Sequence, residues 1–285
     1  MSRIAYVNGR YLPHEKARVS VEDRGFQFAD GVYEVCEVRG GRLVDEPRHM
    51  ARLDRSLREL RIARPMSAAA LSIVLRETIR RNRVRDGIVY LQVTRGAARR
   101  DFPFPSPATR PTVVVTARSS DLARLEQMAA DGIAVVTMPD IRWQRVDIKS
   151  VALLPNVLAK QTARDRNARE AWLVDAQGQI TEGASSNAWI VSRDGTLITR
   201  ALGRDILPGI TRSVVLDVIK AQGLQVEERA FTVDEAYAAR EAFVTSASQI
   251  VMPVVSIDGR PVGNGAPGLV ATALRRDYHR HAQID

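Results

Sequence analysis

Three groups of residues, met along the chain in the order amine, carboxylate, helix start, carry the chemistry legible in this sequence. Only four of the 42 basic residues are lysine: Lys16, Lys149, Lys160 and Lys220. Lys149 stands in Asp147-Ile148-Lys149-Ser150-Val151-Ala152-Leu153-Leu154-Pro155-Asn156, where a β-like stretch meets a helical one. A guanidinium stays protonated, whereas a desolvated ammonium gives up its proton readily and can form a Schiff base with an aldehyde. In an arginine-rich chain, a lysine at such a junction is a candidate for work that only a primary amine performs. Taken alone, it reads more simply as a strand-end lysine with its head in water.

The downstream sequence reverses that balance. Ile180-Thr181-Glu182-Gly183-Ala184-Ser185-Ser186-Asn187 brings a carboxylate, and Leu207-Pro208-Gly209-Ile210-Thr211-Arg212 opens an amphipathic helix. Val214, Val215, Val218 and Ile219 recur at helical spacing, and Gly223 stops the run. A helix start bearing glycine and threonine offers free N–H groups and a hydroxyl to an anion, and the helix dipole favours negative charge there. Pyridoxal 5'-phosphate asks for these three groups: an amine for its aldehyde, a carboxylate for its ring nitrogen and a cradle for its phosphate.

Further motifs lie in a fixed order around the three. They are Tyr6-Val7-Asn8-Gly9, Asp23-Arg24-Gly25-Phe26, Asp30-Gly31-Val32-Tyr33-Glu34, His49-Met50-Ala51-Arg52-Leu53, Gln92-Val93-Thr94-Arg95-Gly96 and Phe243-Val244-Thr245-Ser246. Together with the three groups, nearly end to end, they resemble the class IV pyridoxal-phosphate aminotransferases. That fold, type IV, is shared by D-alanine aminotransferases, branched-chain aminotransferases and aminodeoxychorismate lyases. Tyr33, the Gln92–Gly96 run and the Glu-Gly-Ala-Ser-Ser-Asn motif lean toward the D-amino-acid branch.

The resemblance implies roles residue by residue. Lys149 would hold the cofactor covalently and then carry the proton between substrate Cα and cofactor C4′. Glu182 would keep the ring nitrogen protonated. Arg52, Gly209, Ile210, Thr211, Ser246 and Ala247 would hold the phosphate, with Ser185 and Leu207 also beside the cofactor. Ala247 falls where the family often has threonine, and Ser248 could replace that hydroxyl. Tyr33 and Arg100 match a trap for the substrate carboxylate, but the trap's histidine is here Phe102, which opens the pocket to larger or more apolar substrates. The resulting expectation is transfer of an amino group from a D-amino acid, D-alanine above all, to a 2-oxo acid such as 2-oxoglutarate, in a homodimer. A branched-chain L-aminotransferase and an aminodeoxychorismate-type lyase are the alternatives on the same scaffold.

Composition bounds the other readings. The 285 residues suffice for one large domain or two modest ones, and 45% apolar with 26% charged residues is ordinary for a globular protein. No apolar run reaches the ~18–20 residues of a membrane span, and no secretory leader is legible, so the expected setting is cytoplasmic. A single cysteine, Cys36, excludes an intrachain disulfide and any CxxC metal site. His279 and His281 lack carboxylate or cysteine partners, so no metal site is expected. The net charge of +9 invites a nucleic-acid reading, but the arginines are scattered and aromatics, 5% of the chain, are not interleaved with them. Ser185 lacks the second glycine of a nucleophile elbow.

The elements that must position these groups follow from periodicity. Asn8-Gly9 and Gly40-Gly41 mark hairpin turns. Pro47 starts a helix with Met50, Leu53, Leu57 and Leu60 on one face, and Ser67 caps another with Leu71, Val74, Leu75 and Ile79. Strands are expected at Ile88–Thr94 and Thr112–Ala117, with a loop at Phe102-Pro103-Phe104-Pro105-Ser106-Pro107 between them. A smaller N-terminal α/β domain is placed at 1–118, a linker at 119–124 and a larger cofactor-binding domain at 125–285. In the latter, strands (133–138, 171–175, 188–191, 196–199, 242–245) alternate with helices near 151–166, 210–222, 233–240 and 266–282. The fold class is thus two-domain α+β or α/β.

Overall fold

The computed structural model describes residues 3–284. It divides into two compact units. The first comprises Met1–Asp121, Ile148–Ala152 and Gln283–Asp285; the second comprises Leu122–Asp147 and Leu153–Ala282. The first division falls after Asp121, and Ile148–Ala152 clusters with the first unit. Ile148–Ala152 joins the first unit because its backbone pairs with a strand there: Tyr33 N donates to Lys149 O (3.0 Å) and Val151 N to Gly31 O (3.0 Å). Ile148 is buried in that unit's apolar core.

In the first unit the elements run β1 (Ile4–Val7), β2 (Arg10–Pro13), α1 (Arg24–Phe28), β3 (Gly31–Arg39), β4 (Arg42–Leu43), α2 (Glu46–Glu59), α3 (Ala68–Arg81), β5 (Gly87–Thr94) and β6 (Thr112–Ser119). The six strands form one sheet in the order β2-β1-β6-β5-β3-β4. Asn8-Gly9 and Gly40-Gly41 turn the two outer hairpins with positive φ, as their types require. Alternation along β3 buries Val32, Glu34, Cys36 and Val38 on one face. The buried stripe of α2 presents His49, Arg52, Leu53, Ser56 and Leu57. Pro47 sits in the first turn of α2, and the Ser67 hydroxyl accepts from Ala70 N at the start of α3.

The second unit runs α4 (Leu122–Asp131), β7 (Ile133–Pro139), α5 (Leu154–Asp165), β8 (Glu170–Val174), β9 (Gln179–Gly183), β10 (Asn187–Val191), β11 (Leu197–Thr199), α6 (Ile210–Ala221), β12 (Val226–Glu228), β13 (Phe231–Thr232), α7 (Val233–Ala238), β14 (Glu241–Ser246), β15 (Ile250–Ile257), β16 (Arg260–Pro261) and α8 (Leu269–His281). Its sheet is ordered β12-β11-β10-β14-β15-β7-β8-β9-β13, with β16 on β15. β10 is buried at every position, as a central strand covered on both faces must be. Trp189 on β10 stacks on Phe243 of β14 at 5.4 Å, and Trp172 of β8 meets Phe231 edge-on at 6.2 Å. Helix α6 follows its N-cap Gly209 and ends before Gly223, whose φ of 66° is one that glycine adopts without strain. No helix among the described residues is long and apolar enough to cross a membrane.

Candidate active site

The first unit positions the amine. Residues 141–150 form no strand, so the β-like lead-in expected before Lys149 is instead a set of turns ending in a single bridge, Ser150 to Val32. Besides the pairing with β3, Lys149 N donates to Ser56 Oγ of α2 at 3.3 Å. The half-buried side chain lays Nζ 4.2 Å from the centre of the Tyr33 ring, and Nζ has no carboxylate or hydrogen-bond partner among the described residues. An amine fixed by its backbone, resting on a ring and committed to no acid is available for chemistry. Tyr33 lies 5.8 Å from Tyr90, whose hydroxyl donates to Gln92 Oε1 at 2.7 Å. Burial, with the Tyr33 hydroxyl nearby, pushes the Tyr90 phenol up to about 12, so Tyr90 stays a hydrogen-bond donor at working pH.

On the other face of β3, Arg52 grips Glu34 with both Nε and Nη2 at 2.8 Å, and His49 Nδ1 donates to Glu34 Oε2 at 2.7 Å. Arg52 is thus held by a buried acid that the sequence did not flag. Burial raises the Glu34 carboxyl, but the Arg52 charge and the two donors outweigh it and hold it at about 2. Burial, with the Arg52 and Lys149 charges, lowers His49 against the raising effect of Glu34. An acid bound more weakly to protons when folded stabilises the fold above its unfolded value and loses that contribution as pH falls through its folded value. For Glu34 the window runs from about 4.5 down to about 2, and the contribution is about 3 kcal/mol. His49 has the same sign, losing stability below its ordinary 6.5. Urea unfolding at stepped pH should show this acid loss in the wild type and a flatter profile in Glu34→Gln. An unchanged slope in the variant would place the acid sensitivity elsewhere.

The loop that carries Arg100 and Phe102 is gripped from below. Arg24 and Arg95 share the Asp30 carboxylate, at 2.8 and 2.7 Å. Arg24 also donates to the carbonyls of Asp101 (2.5 Å) and Phe102 (3.1 Å), while Arg95 lies under the Phe104 ring at 3.7 Å. Phe102 is 77% exposed and packs on Phe28 at 5.5 Å, with the Arg100 guanidinium 5.1 Å above the Phe28 ring. Gly96, at the root of the loop, has φ +102°, and a Cβ there would fall 2.1 Å from Arg110 O.

The second unit positions the carboxylate and the helix start. Glu182 is 4% exposed on β9. Oε1 accepts from Arg142 Nη1, and Oε2 accepts from Asn187 Nδ2 (2.9 Å) and Leu207 N (3.1 Å). Arg142 also binds both oxygens of Asp140 (2.9 and 2.7 Å) and donates to Asp205 O at 3.2 Å. Burial disfavours the Arg142 charge, but Asp140 and Glu182 together raise its proton affinity well above the ordinary value. Neither spacing nor motif singles out Arg142 in the sequence. The one signal for it is its place two residues after Asp140 in an otherwise irregular stretch.

Asn187 ties the carboxylate to the helix start. Its Nδ2 also donates to Leu207 O at 2.9 Å, and its Oδ1 lies 2.0 Å from where a Cβ on Gly209 would stand. Only glycine fits there. No side chain caps α6, and the buried Thr211 hydroxyl makes no hydrogen bond among the described residues. The first N–H groups of the helix and this hydroxyl are therefore open to an anion. Asn187 stands opposite Thr245 in the register of β10 and β14, which puts Ser246 and the turn bearing Ala247 and Ser248 at the same end of the sheet. Ser248 is exposed in that turn, and Ser185 is exposed in the turn after Glu182. An uncapped helix start beside a clamped carboxylate fits a phosphate and a protonated ring nitrogen.

The chain is similar to known proteins over nearly its whole length. The model of the amino-transferase class IV family matches residues 31–257. A D-alanine aminotransferase of Bacillus licheniformis is 42% identical over 261 residues, 92% of this chain and 90% of that protein. One from Staphylococcus haemolyticus is 38% identical over 279 residues, 98% of this chain and 97% of that protein. A branched-chain aminotransferase from the thermophilic archaeon Thermoproteus uzoniensis, solved with norvaline, superposes with a TM-score of 0.86 at 25% identity, covering 100% of this chain and 99% of that one. With a matched family model over most of its length and relatives this similar, the chain belongs to the class IV aminotransferases, on the type IV fold.

Proposed function

We propose that this enzyme uses pyridoxal 5'-phosphate to move an amino group from a D-amino acid, D-alanine foremost, to a 2-oxo acid such as 2-oxoglutarate. The observation that carries the reading is the Lys149 amine, held by its backbone on β3, resting on Tyr33 and paired with no acid among the described residues. The D-alanine aminotransferases at 42% and 38% identity support the choice of donor. Bound pyridoxal phosphate supplies an aldehyde and an electron-accepting ring that stabilises the negative charge left when substrate Cα loses its proton. The Lys149 amine would take up that proton from Cα and hold it for return to the product. Glu182 holds a proton at the ring nitrogen through its charge. The start of α6, from Gly209 to Thr211, would hold the phosphate with its N–H groups and the Thr211 hydroxyl, and Ser246 would complete that grip.

Mixing the cofactor-loaded enzyme with single D- and L-amino acids and following the visible absorbance tests the reading. Bleaching by D-alanine and not by L-leucine is expected. Bleaching by L-leucine alone would establish the branched-chain alternative, which the likeness to the Thermoproteus uzoniensis enzyme keeps in view. A cytoplasmic homodimer is part of the same proposal. Leu154, Val157 and Leu158, exposed on α5, supply apolar surface that a second copy would cover, and a monomer mass in sedimentation would remove that part.

Arg100 and Phe102 are proposed to meet the substrate. A charge-assisted grip on a carboxylate contributes ~1.5–3 kcal/mol, so Arg100→Ala should raise KM for donor and acceptor by roughly 10- to 100-fold. Phe102→His should favour D-alanine over bulky D-amino acids, read as a ratio of kcat/KM values. Unchanged kinetics in Arg100→Ala would remove Arg100 from the site.

A further inference from the structure

Glu170 opens β8 with its side chain 3% exposed, and no step of the proposed reaction uses it. Among the described residues, every polar partner of its carboxylate is a donor. Oε2 accepts from Ser185 Oγ at 2.7 Å and Ser186 Oγ at 3.0 Å. Oε1 accepts from Ala171 N at 2.9 Å and faces Lys160 Nζ at 3.2 Å. The two serines belong to the turn that directly follows Glu182. Gly183 N closes that turn on Ser186 O at 2.7 Å, and Asn156 Nδ2 of α5 holds it from the side through Ala184 O at 2.8 Å. There is no slack on the inner side, because a Cβ on Gly183 would fall 2.2 Å from Ser186 Oγ.

A carboxylate only accepts, so hydroxyls bonded to it must point their protons inward. Ser185 is exposed, and with its proton committed to Glu170 its hydroxyl has lone pairs alone to offer. We propose that Glu170 is a positioning residue for cofactor binding: it fixes the turn after Glu182 and commits the Ser185 and Ser186 protons, so that Ser185 meets a ligand as a hydrogen-bond acceptor. Phosphate and carboxylate oxygens are then refused at Ser185, while an ammonium or amide N–H is taken. The inference rests on the proposed function and assigns Ser185 a place beside the cofactor, away from its phosphate.

Cofactor retention by the holoenzyme, read from the visible band on serial dilution, tests this in two backgrounds. Glu170→Ala should weaken retention about 10-fold in the native background and less than about twofold in Ser185→Ala/Ser186→Ala, because coupled groups are not additive. Glu170→Gln, whose amide oxygen still accepts one hydroxyl, should fall between, and it serves as the test if the alanine variant does not fold. Equal losses in both backgrounds would reduce Glu170 to a support of the fold, and no loss in either would remove its role; both outcomes overturn the proposal. A wild type that is yellow and active while Glu170 proves silent sinks this inference alone. A wild type that binds no pyridoxal phosphate sinks the functional reading as well.

Discussion

Replacing Lys149 with alanine is expected to abolish amino-group transfer, by at least about 10⁴-fold, while leaving a folded protein. Proton carriage by a placed side chain is worth 10²–10⁴-fold on its own, and the covalent hold on the cofactor is lost with it. The fold should survive because the contacts that seat this residue are mostly made by its main chain: Lys149 O accepts from Tyr33 N, and Lys149 N donates to Ser56 Oγ. An alanine keeps both. Lys149→Arg restores the charge over Tyr33 but not a nucleophilic amine, so it should be equally inactive. Borohydride reduction of the loaded wild type should fix the cofactor on the peptide carrying Lys149. Label on Lys160 or Lys220 would overturn the assignment, and Lys160 is already engaged by Glu170 and the Arg169 carbonyl.

Glu182→Gln is expected to slow proton removal from Cα by on the order of 10²- to 10³-fold, about 2.7–4 kcal/mol of transition-state stabilisation. Part of the loss is that a neutral amide cannot hold a proton on the ring nitrogen. The surroundings add a second part. Arg142, Asn187 Nδ2 and Leu207 N are all donors directed at the carboxylate. A glutamine must turn its NH₂ toward Arg142 or toward the other pair, donor against donor. Pre-steady-state mixing with D-alanine isolates the proton step, and a primary isotope effect on it should grow in the variant. Unchanged turnover would mean that another group holds the ring nitrogen.

Residues whose type is rare or whose neighbours set a clear pattern were legible in the sequence. Lys149 stood out because the chain uses arginine almost everywhere else, and Gly209-Ile210-Thr211 because a helical stripe follows it. The hairpin turns and the Ser67 cap were legible for the same reason: their chemistry is local. Arg142 was hidden among its many kin, and its work depends on Glu182, forty positions away. The clamp of Arg52 by Glu34 was equally hidden. Glu34 occupies an inward position of β3 between Val32 and Cys36, and only the packing of α2 supplies the countercharge. The pairing of Ile148–Ala152 with β3 is carried by the backbone, which side-chain periodicity does not record.

The grip on the Phe102 loop has a consequence for how such an enzyme changes over generations. Arg24 reaches this loop through the main-chain oxygens of Asp101 and Phe102, contacts that every amino acid offers alike. Phe102 itself is exposed, so its identity is nearly decoupled from the integrity of the scaffold. New side chains can be sampled there without the usual toll on folding, and libraries at 100 and 102 should be dominated by well-folded members that differ in which amino acids they accept. Position 24, by contrast, would tolerate almost nothing.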